Sequence, residues 1–131
     1  MGNLIAVAAV TAILAGGAIN PDEFEGVARD EVAAWSYGWN SVKVTGQVRT
    51  LLVQARYDTP TPFNGDPTPV AYSIHSVTLD CAAKTATFIS GSNYSASGVV
   101  ISAASPSPAA PWTDSTSGFQ QLAATVCTTN F

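Results

Sequence analysis

Few residues of this chain could support catalysis, and the first to consider is His75, the only histidine. An imidazole can serve as a general base or a metal ligand. His75 stands inside the apolar, β-branched stretch Val70–Leu79, with no serine or cysteine motif around it. A histidine in such a strand is more often a packed or exposed side chain than a reactive one. We therefore interpret His75 as a strand residue.

Asp80 is the second candidate, since a carboxylate beside Cys81 could take part in acid–base chemistry. An aspartate at a strand end more commonly accepts hydrogen bonds from the N–H groups of a turn. The chain has no Gly-x-Ser-x-Gly, no His-Glu-x-x-His and no phosphate-binding glycine loop. A catalytic triad could use only His75. The sequence therefore predicts a protein that is not an enzyme, with no catalytic residues and no cofactor.

The two cysteines, Cys81 and Cys127, are the remaining reactive groups. A single disulfide between them would close a long loop and stabilise the fold by about 4 kcal/mol in the chain-entropy model. The alternative is a pair of buried free thiols. No Cys-x-x-Cys spacing exists, and His75 alone cannot complete the usual four ligands of zinc. We expect no metal site.

The composition indicates one compact domain with few charges. Hydrophobic residues make up 47% of the 131 residues and charged residues only 11%. Lysine and arginine form no cluster, so a phosphate backbone would find no counter-charge and nucleic acid is excluded as a partner. Acidic residues outnumber basic ones by nine to five, and five acids lie close together in one segment: Asp22, Glu23, Glu25, Asp30 and Glu31.

The leading segment Leu4–Ile19 is apolar and carries no charge. It is short for a membrane span, which needs roughly 20 residues, and has the length of a signal-peptide core. We interpret residues 1–18 as a signal peptide, or alternatively as a retained apolar helix that packs into a membrane or filament. Residues 19–131 form the single predicted domain.

The next segment has the pattern of a helix start. Asn20 can serve as N-cap, Pro21 follows at the first helical position, and acids come directly after. Apolar residues at Phe24 and Val27 continue with helical spacing, which predicts an amphipathic N-terminal helix to about Ala34.

An aromatic segment with Trp35 and Trp39 follows this predicted helix. It could form a ligand-binding shelf or pack into the core, and large aromatics favour the core. Ser41–Tyr57 predicts two strands turning near Gly46, or one long bent strand.

Tyr57–Val70 contains four prolines together with Phe63 and Asn64, which predicts a long exposed loop. Such a loop could bind a ligand or act as a spacer. Short strands with turn residues between them follow and indicate an antiparallel meander. The remaining predicted elements are strand Val70–Leu79, turn Cys81–Lys84, strand Thr85–Ser90, turn Gly91–Asn93, strand Tyr94–Ala103 with an interruption at Ser97–Gly98, a proline-rich loop Ser105–Pro111 before Trp112, and helix Ser117–Val126.

Together these patterns predict an α+β fold: an antiparallel meander sheet with an N-terminal helix and a short C-terminal helix. If the domain binds a ligand, the aromatic and loop positions are the candidate binding surface. These are Trp35, Trp39, Tyr57, Phe63, Asn64 and Trp112.

An ordered set of short runs in the second half of the chain resembles the surface-adhesin protein E-like family of small exported bacterial proteins. The runs are Leu79–Thr85 (LDCAAKT), Tyr94–Val100 (YSASGVV), Pro111–Trp112 and Gly118–Cys127 (GFQQLAATVC), with Tyr57–Asp58 upstream. The resemblance implies a broadly PAS-like antiparallel sheet flanked by helix, closed by a Cys81–Cys127 bridge. It also implies an envelope location and, for the adhesin that names the family, binding of host matrix or serum proteins.

We therefore expect a non-catalytic binding protein of adhesin type, located in the periplasm, at the cell surface or outside the cell. Its partner would be a protein, including a second copy of the chain in a homo-oligomer, and it would meet a membrane only if residues 1–18 are retained. The alternatives are a structural subunit of a filament or membrane assembly, built through the apolar N-terminal helix, and a periplasmic hydrolase inhibitor.

Overall fold

The computed structural model describes residues 23–62 and 67–131. Within these residues the chain forms an antiparallel sheet of eight strands and one α-helix. The elements are β1 (Phe24–Arg29), β2 (Ala33–Gly38), β3 (Lys43–Thr45), β4 (Val48–Pro62), β5 (Pro69–Asp80), β6 (Thr85–Tyr94), β7 (Val100–Ala103), β8 (Ser107–Pro111) and α1 (Ser117–Thr128). Short 3-10 turns occupy Trp39–Ser41 and Trp112–Asp114.

The sheet is a meander in the order β1-β2-β4-β5-β6-β7, with β3 also paired to β4 and β8 also paired to β6. Its centre is the long β4–β5 hairpin, in which Val48 pairs with Asp80 and Arg56 with Tyr72. Every paired strand is antiparallel, as the short connections predicted.

The core lies between one face of this sheet and α1. Leu51, Val53, Val77 and Leu79 alternate along β4 and β5 and are buried, and α1 buries a matching stripe: Phe119, Leu122, Ala123 and Val126. Fully burying one Leu, Val or Phe side chain contributes about 1.5–3 kcal/mol, so this layer is the main source of stability. The predicted C-terminal helix is confirmed.

Cys81 and Cys127 form a disulfide, with their Cα atoms 5.6 Å apart. The bond joins the turn between β5 and β6 to the last helical turn of α1. It confirms the predicted bridge and excludes the free-thiol alternative.

The predicted N-terminal helix to Ala34 is wrong for the residues that the structure describes. Phe24–Arg29 and Ala33–Gly38 are instead two paired strands, while Asn20 and Pro21 lie outside the described part of the chain. The error has a physical cause: the register shifts between Gly26 and Ala28, and this bulge replaces strict alternation with a spacing that imitates a helix.

Three predicted irregular segments are also strands. β4 continues to Pro62 and β5 begins at Pro69, so both ends of the predicted Tyr57–Val70 loop are strand. The register is irregular after Arg56, and β4 and β5 pair again at Thr61–Val70 and Pro62–Pro69. The predicted turn Gly91–Asn93 lies inside β6, and most of the predicted loop Ser105–Pro111 forms β8. Proline is tolerated at strand ends and on edge strands, where its missing N–H breaks no ladder bond.

Candidate functional site

The two faces of the sheet differ in what they contact. Side chains alternate along a strand, so the residues between the core positions point to the face opposite α1, here called the outer face. Because Leu51 and Val53 are core residues, Gln54 and Arg56 face outward. Their cross-strand partners Ala34, Ser36 and Tyr72 share that face. Tyr94 follows as the partner of Tyr72.

Arg56, Tyr72 and Tyr94 form a continuous row across β4, β5 and β6, here called the outer row. The Arg56 guanidinium carbon lies 4.5 Å from the centroid of the Tyr72 ring. The rings of Tyr72 and Tyr94 stack with centroids 4.8 Å apart and planes 8° from parallel. Arg56 Nη2 donates to Gln54 Oε1 at 3.2 Å. The outer row therefore holds an exposed guanidinium in a fixed orientation.

A groove of about 510 Å³ lies beside Arg56 on strands β1, β2 and β4. We call it the outer groove. The small residues Gly26, Ala34 and Ser36 leave this space open, and larger side chains border it, among them Phe24, Gln54 and Arg56. A Cβ atom built at Gly26 would meet no neighbour within 4 Å, which shows how much room the groove offers.

The two arginines beside the outer groove differ in whether an acidic side chain neutralises their charge. Arg29 and Arg56 flank Ala34 in the sheet register. Arg29 pairs with the carboxylate of Asp58. Among the described residues Arg56 has no carboxylate within ion-pair distance, and its polar partner is the neutral amide of Gln54. The positive charge that the groove offers to a ligand is therefore that of Arg56.

The hydroxyl of Tyr94 stays neutral at the end of the outer row. Burial raises the pKa of Tyr94 above its usual value. The row thus presents the Arg56 guanidinium beside two stacked aromatic rings, an arrangement suited to binding.

Trp112 is packed in the core, whereas Trp35 is half-buried and both packs against the core and lines the outer groove. The ring of Trp35 meets Phe119 edge-on with centroids 5.5 Å apart, and its Nε1 donates to Asp30 Oδ2 at 3.0 Å. Trp112 is only 7% exposed and belongs to the core cluster. The packing of Trp35 agrees with the core-packing alternative for the aromatic segment, and Trp112, a candidate binding residue, lies in the core.

The other candidate binding residues are scattered. Trp39 is 49% exposed in the 3-10 turn after β2. The Tyr57 hydroxyl donates to Ser73 Oγ at 3.1 Å, at the start of a polar chain that continues to Asn93 and Ser102. Phe63 and Asn64 lie outside the described residues. The structure does not bring these positions together into one site, and their role in binding stays a prediction.

His75 and Asp80 occupy the structural positions that we expected. The His75 ring packs edge-on against Phe88 with centroids 5.1 Å apart, and burial lowers the pKa of His75 to about 4, so it is neutral at physiological pH. Asp80 Oδ1 accepts hydrogen bonds from the N–H groups of Ala82 and Ala83 in the turn. Within the two described ranges, no three His, Cys, Asp or Glu side chains gather as a metal site would require.

The sequence analysis missed the outer row and, apart from Trp35, the residues that line the outer groove. Period-2 alternation would have placed Gln54 and Arg56 on one face, but only the β4–β5 register brings Tyr72 beneath the guanidinium. The groove also depends on β1 being a strand, which the helical interpretation of that segment concealed.

Asp30 was also missed, and it joins the start of the chain to α1. Its Oδ1 accepts from the N–H groups of Val32 at 2.8 Å and Ala33 at 3.0 Å, while Oδ2 accepts from Gly118 N at 2.7 Å and from Trp35. Burial opposes ionisation, but these backbone hydrogen bonds outweigh it and hold the pKa of Asp30 well below its usual value.

The described residues thus define a class of architecture: a disulfide-closed antiparallel meander covered on one face by a C-terminal helix. A solved structure with a similar fold is protein E from non-typeable Haemophilus influenzae, which aligns with a TM-score of 0.58 over 86% of this chain and 80% of that chain. The two sequences are 14% identical, so the likeness shows the fold alone. No protein-family model and no curated protein matches the sequence.

In residues 23–62 and 67–131, no helix is long and apolar enough to cross a membrane.

Proposed function

We propose that this domain is an exported, non-catalytic protein-binding module of adhesin type, and that its partner binds in the outer groove beside Arg56. The observation that carries the proposal is the outer row, in which an exposed arginine is fixed on stacked tyrosines at the rim of a groove. Tyrosine and arginine are the residue types over-represented among those that dominate binding energy in protein interfaces.

The likeness to protein E supports the proposal at the level of fold. This likeness agrees with the resemblance of the runs between Leu79 and Cys127 to the surface-adhesin protein E-like family. That resemblance is the source of the proposed adhesin-type role and of the PAS-like description of the sheet. Export is supported by the Cys81–Cys127 disulfide, because such bonds persist mainly in oxidising compartments.

The proposal is tested by filling the outer groove. Gly26→Leu places a large side chain in it, and the open space around the Cβ position leaves the sheet undisturbed. The matched control is Ala124→Leu, which adds the same side chain on the exposed side of α1. Wild type and both variants are compared by biolayer interferometry against purified extracellular-matrix and serum proteins, with melting temperatures measured in parallel.

We expect saturable binding of at least one of these proteins by the wild type and by Ala124→Leu. Gly26→Leu should weaken that binding by about tenfold or more, which corresponds to about 1.4 kcal/mol, at an unchanged melting temperature. Saturable binding to none of the proteins, or equal binding by Gly26→Leu, would contradict the proposal.

A further inference from the structure

We propose that the outer groove recognises a carboxylate side chain on an extended acidic segment of the partner protein, and that Arg56 is the residue that binds it. This inference rests on the proposed function and adds the chemistry of the partner. It requires that the Arg56 guanidinium be fixed in orientation, lack a competing anion and face a space that a side chain can enter.

The guanidinium is fixed from two sides. Its face lies on the Tyr72 ring at 4.5 Å, and one edge donates to Gln54 Oε1. Tyr72 is itself held by stacking on Tyr94. A guanidinium has five N–H donors in a planar fork, and the hydrogen bond that the structure gives to Arg56 uses one Nη2 donor. Other N–H groups of the fork can therefore take a carboxylate in the two-bond geometry that arginine favours.

A comparison with Arg29 shows why Arg56 is the binding cation. Both arginines border the outer groove, but the charge of Arg29 is already compensated by Asp58. Among the described residues Arg56 has no such counter-charge. A ligand carboxylate supplies the missing partner, and it does so without first displacing an acidic side chain of the domain.

The shape of the groove favours a side chain carried on an extended backbone. Its lining residues come from β1, β2 and β4, and the small residues Gly26, Ala34 and Ser36 keep it open. A volume of about 510 Å³ accommodates a few side chains rather than a folded element. Phe24 adds an apolar wall for the residues next to the carboxylate.

The test uses the full chain and a blocked peptide of alternating Glu and Gly, with two other probes: the same peptide with Gln in place of Glu, and inorganic phosphate. Binding is measured by isothermal titration calorimetry for wild type, Arg56→Gln and Arg56→Lys. Lys84→Gln is the matched control, since it removes one positive charge at the β5–β6 turn, which the outer groove does not touch.

We expect the Glu peptide to bind wild type and Lys84→Gln with affinities within about twofold of each other. Arg56→Gln should weaken it about tenfold or more, and Arg56→Lys by an intermediate factor because an ammonium cannot make the two-bond contact. Tyr72→Leu should also weaken it by removing the ring beneath the guanidinium, whereas Tyr72→Phe keeps the ring and should retain most of the affinity.

Several results would overturn the inference. These are no binding of the Glu peptide to wild type, equal binding of the Gln peptide, equal binding to Arg56→Gln, or phosphate binding as tightly as the peptide. If any one of these results is found while Gly26→Leu still weakens binding of a matrix or serum protein, the acidic-segment inference fails and the proposed function stands. If neither the Glu peptide nor any matrix or serum protein depends on the outer groove for binding, both the inference and the proposed function fail.

Discussion

The carboxylate of Asp30 accepts a hydrogen bond from the backbone N–H of Gly118 at 2.7 Å, although 88 residues separate them in sequence. The turn between β1 and β2 is thereby fastened to the first turn of α1. The first N–H groups of a helix have no partner within the helix, and an anion placed there also meets the positive end of the helix dipole. One side chain thus joins the N-terminal hairpin to the C-terminal helix.

Asp30→Asn should lower the free energy of unfolding by about 1–3 kcal/mol, because charge-assisted hydrogen bonds to backbone N–H groups are lost or weakened. Chemical denaturation measures this change. Asp58→Asn is the control: it breaks an exposed ion pair and should cost at most about 1 kcal/mol. Equal losses in the two variants would show that Asp30 has no special role.

Acid should destabilise the fold in two separate pH ranges. The folded pKa of His75 is lowered to about 4, whereas an unfolded histidine titrates near about 6.5, so between these values the unfolded chain binds the extra proton. The contribution of His75 is therefore complete above the unfolded pKa and is lost as the pH falls towards 4. His75→Gln should flatten unfolding free energy against pH in this range only.

Below that range, protonation of Asp30 should dominate the pH dependence of the free energy of unfolding. Its folded pKa is depressed, so its contribution is present above the unfolded aspartate pKa of about 3.9 and is lost as the pH falls further. Asp30→Asn should remove this low-pH dependence and leave the His75 range intact. A pH profile of Asp30→Asn that matches wild type below pH 4 would contradict the assignment.

Breaking the disulfide should destabilise the domain strongly. Cys81→Ser or Cys127→Ser should lower the unfolding free energy by about 2–5 kcal/mol, because the unfolded chain gains conformational freedom. Thermal melts with and without a reductant provide an independent measurement on the wild-type chain. Identical melting in the two conditions would contradict the bridge.

The tryptophans should divide into core and surface positions. Trp112→Phe leaves part of a buried site empty and should cost about 1–3 kcal/mol, whereas Trp39→Ala on the exposed turn should change stability by no more than about 0.5 kcal/mol. Chemical denaturation of both variants checks this. A large loss for Trp39→Ala would place that ring in the core instead.

Much of the second half of the fold follows from the sequence. The apolar residues of β5 and α1 follow strand and helix periodicity, and the predicted turn Cys81–Lys84 lies between β5 and β6. In the first half, the predicted turn near Gly46 is also present, with the positive φ of 59° that glycine accepts readily. Cys81 and Cys127 were correctly paired because the chain offers only one pairing.

The rest depends on relationships that a linear pattern does not contain. The bulge at Gly26 and Ala28 changes the spacing of apolar residues in β1, and β8 is a strand because β6 offers it an edge despite its prolines. The candidate site required the register between β4 and β5, which pairs Arg56 with Tyr72. Neither residue was a candidate from the sequence, because no linear pattern places the two side chains together.

The most direct test of the binding surface is a map of amide chemical shifts in the full ¹⁵N-labelled chain during titration with the blocked Glu-Gly peptide. We predict that the largest changes fall at Gly26, Ala34, Ser36 and the strand segment around Arg56, with none along α1. Changes concentrated on α1 or at the β5–β6 turn, or no changes at saturating peptide, would contradict it.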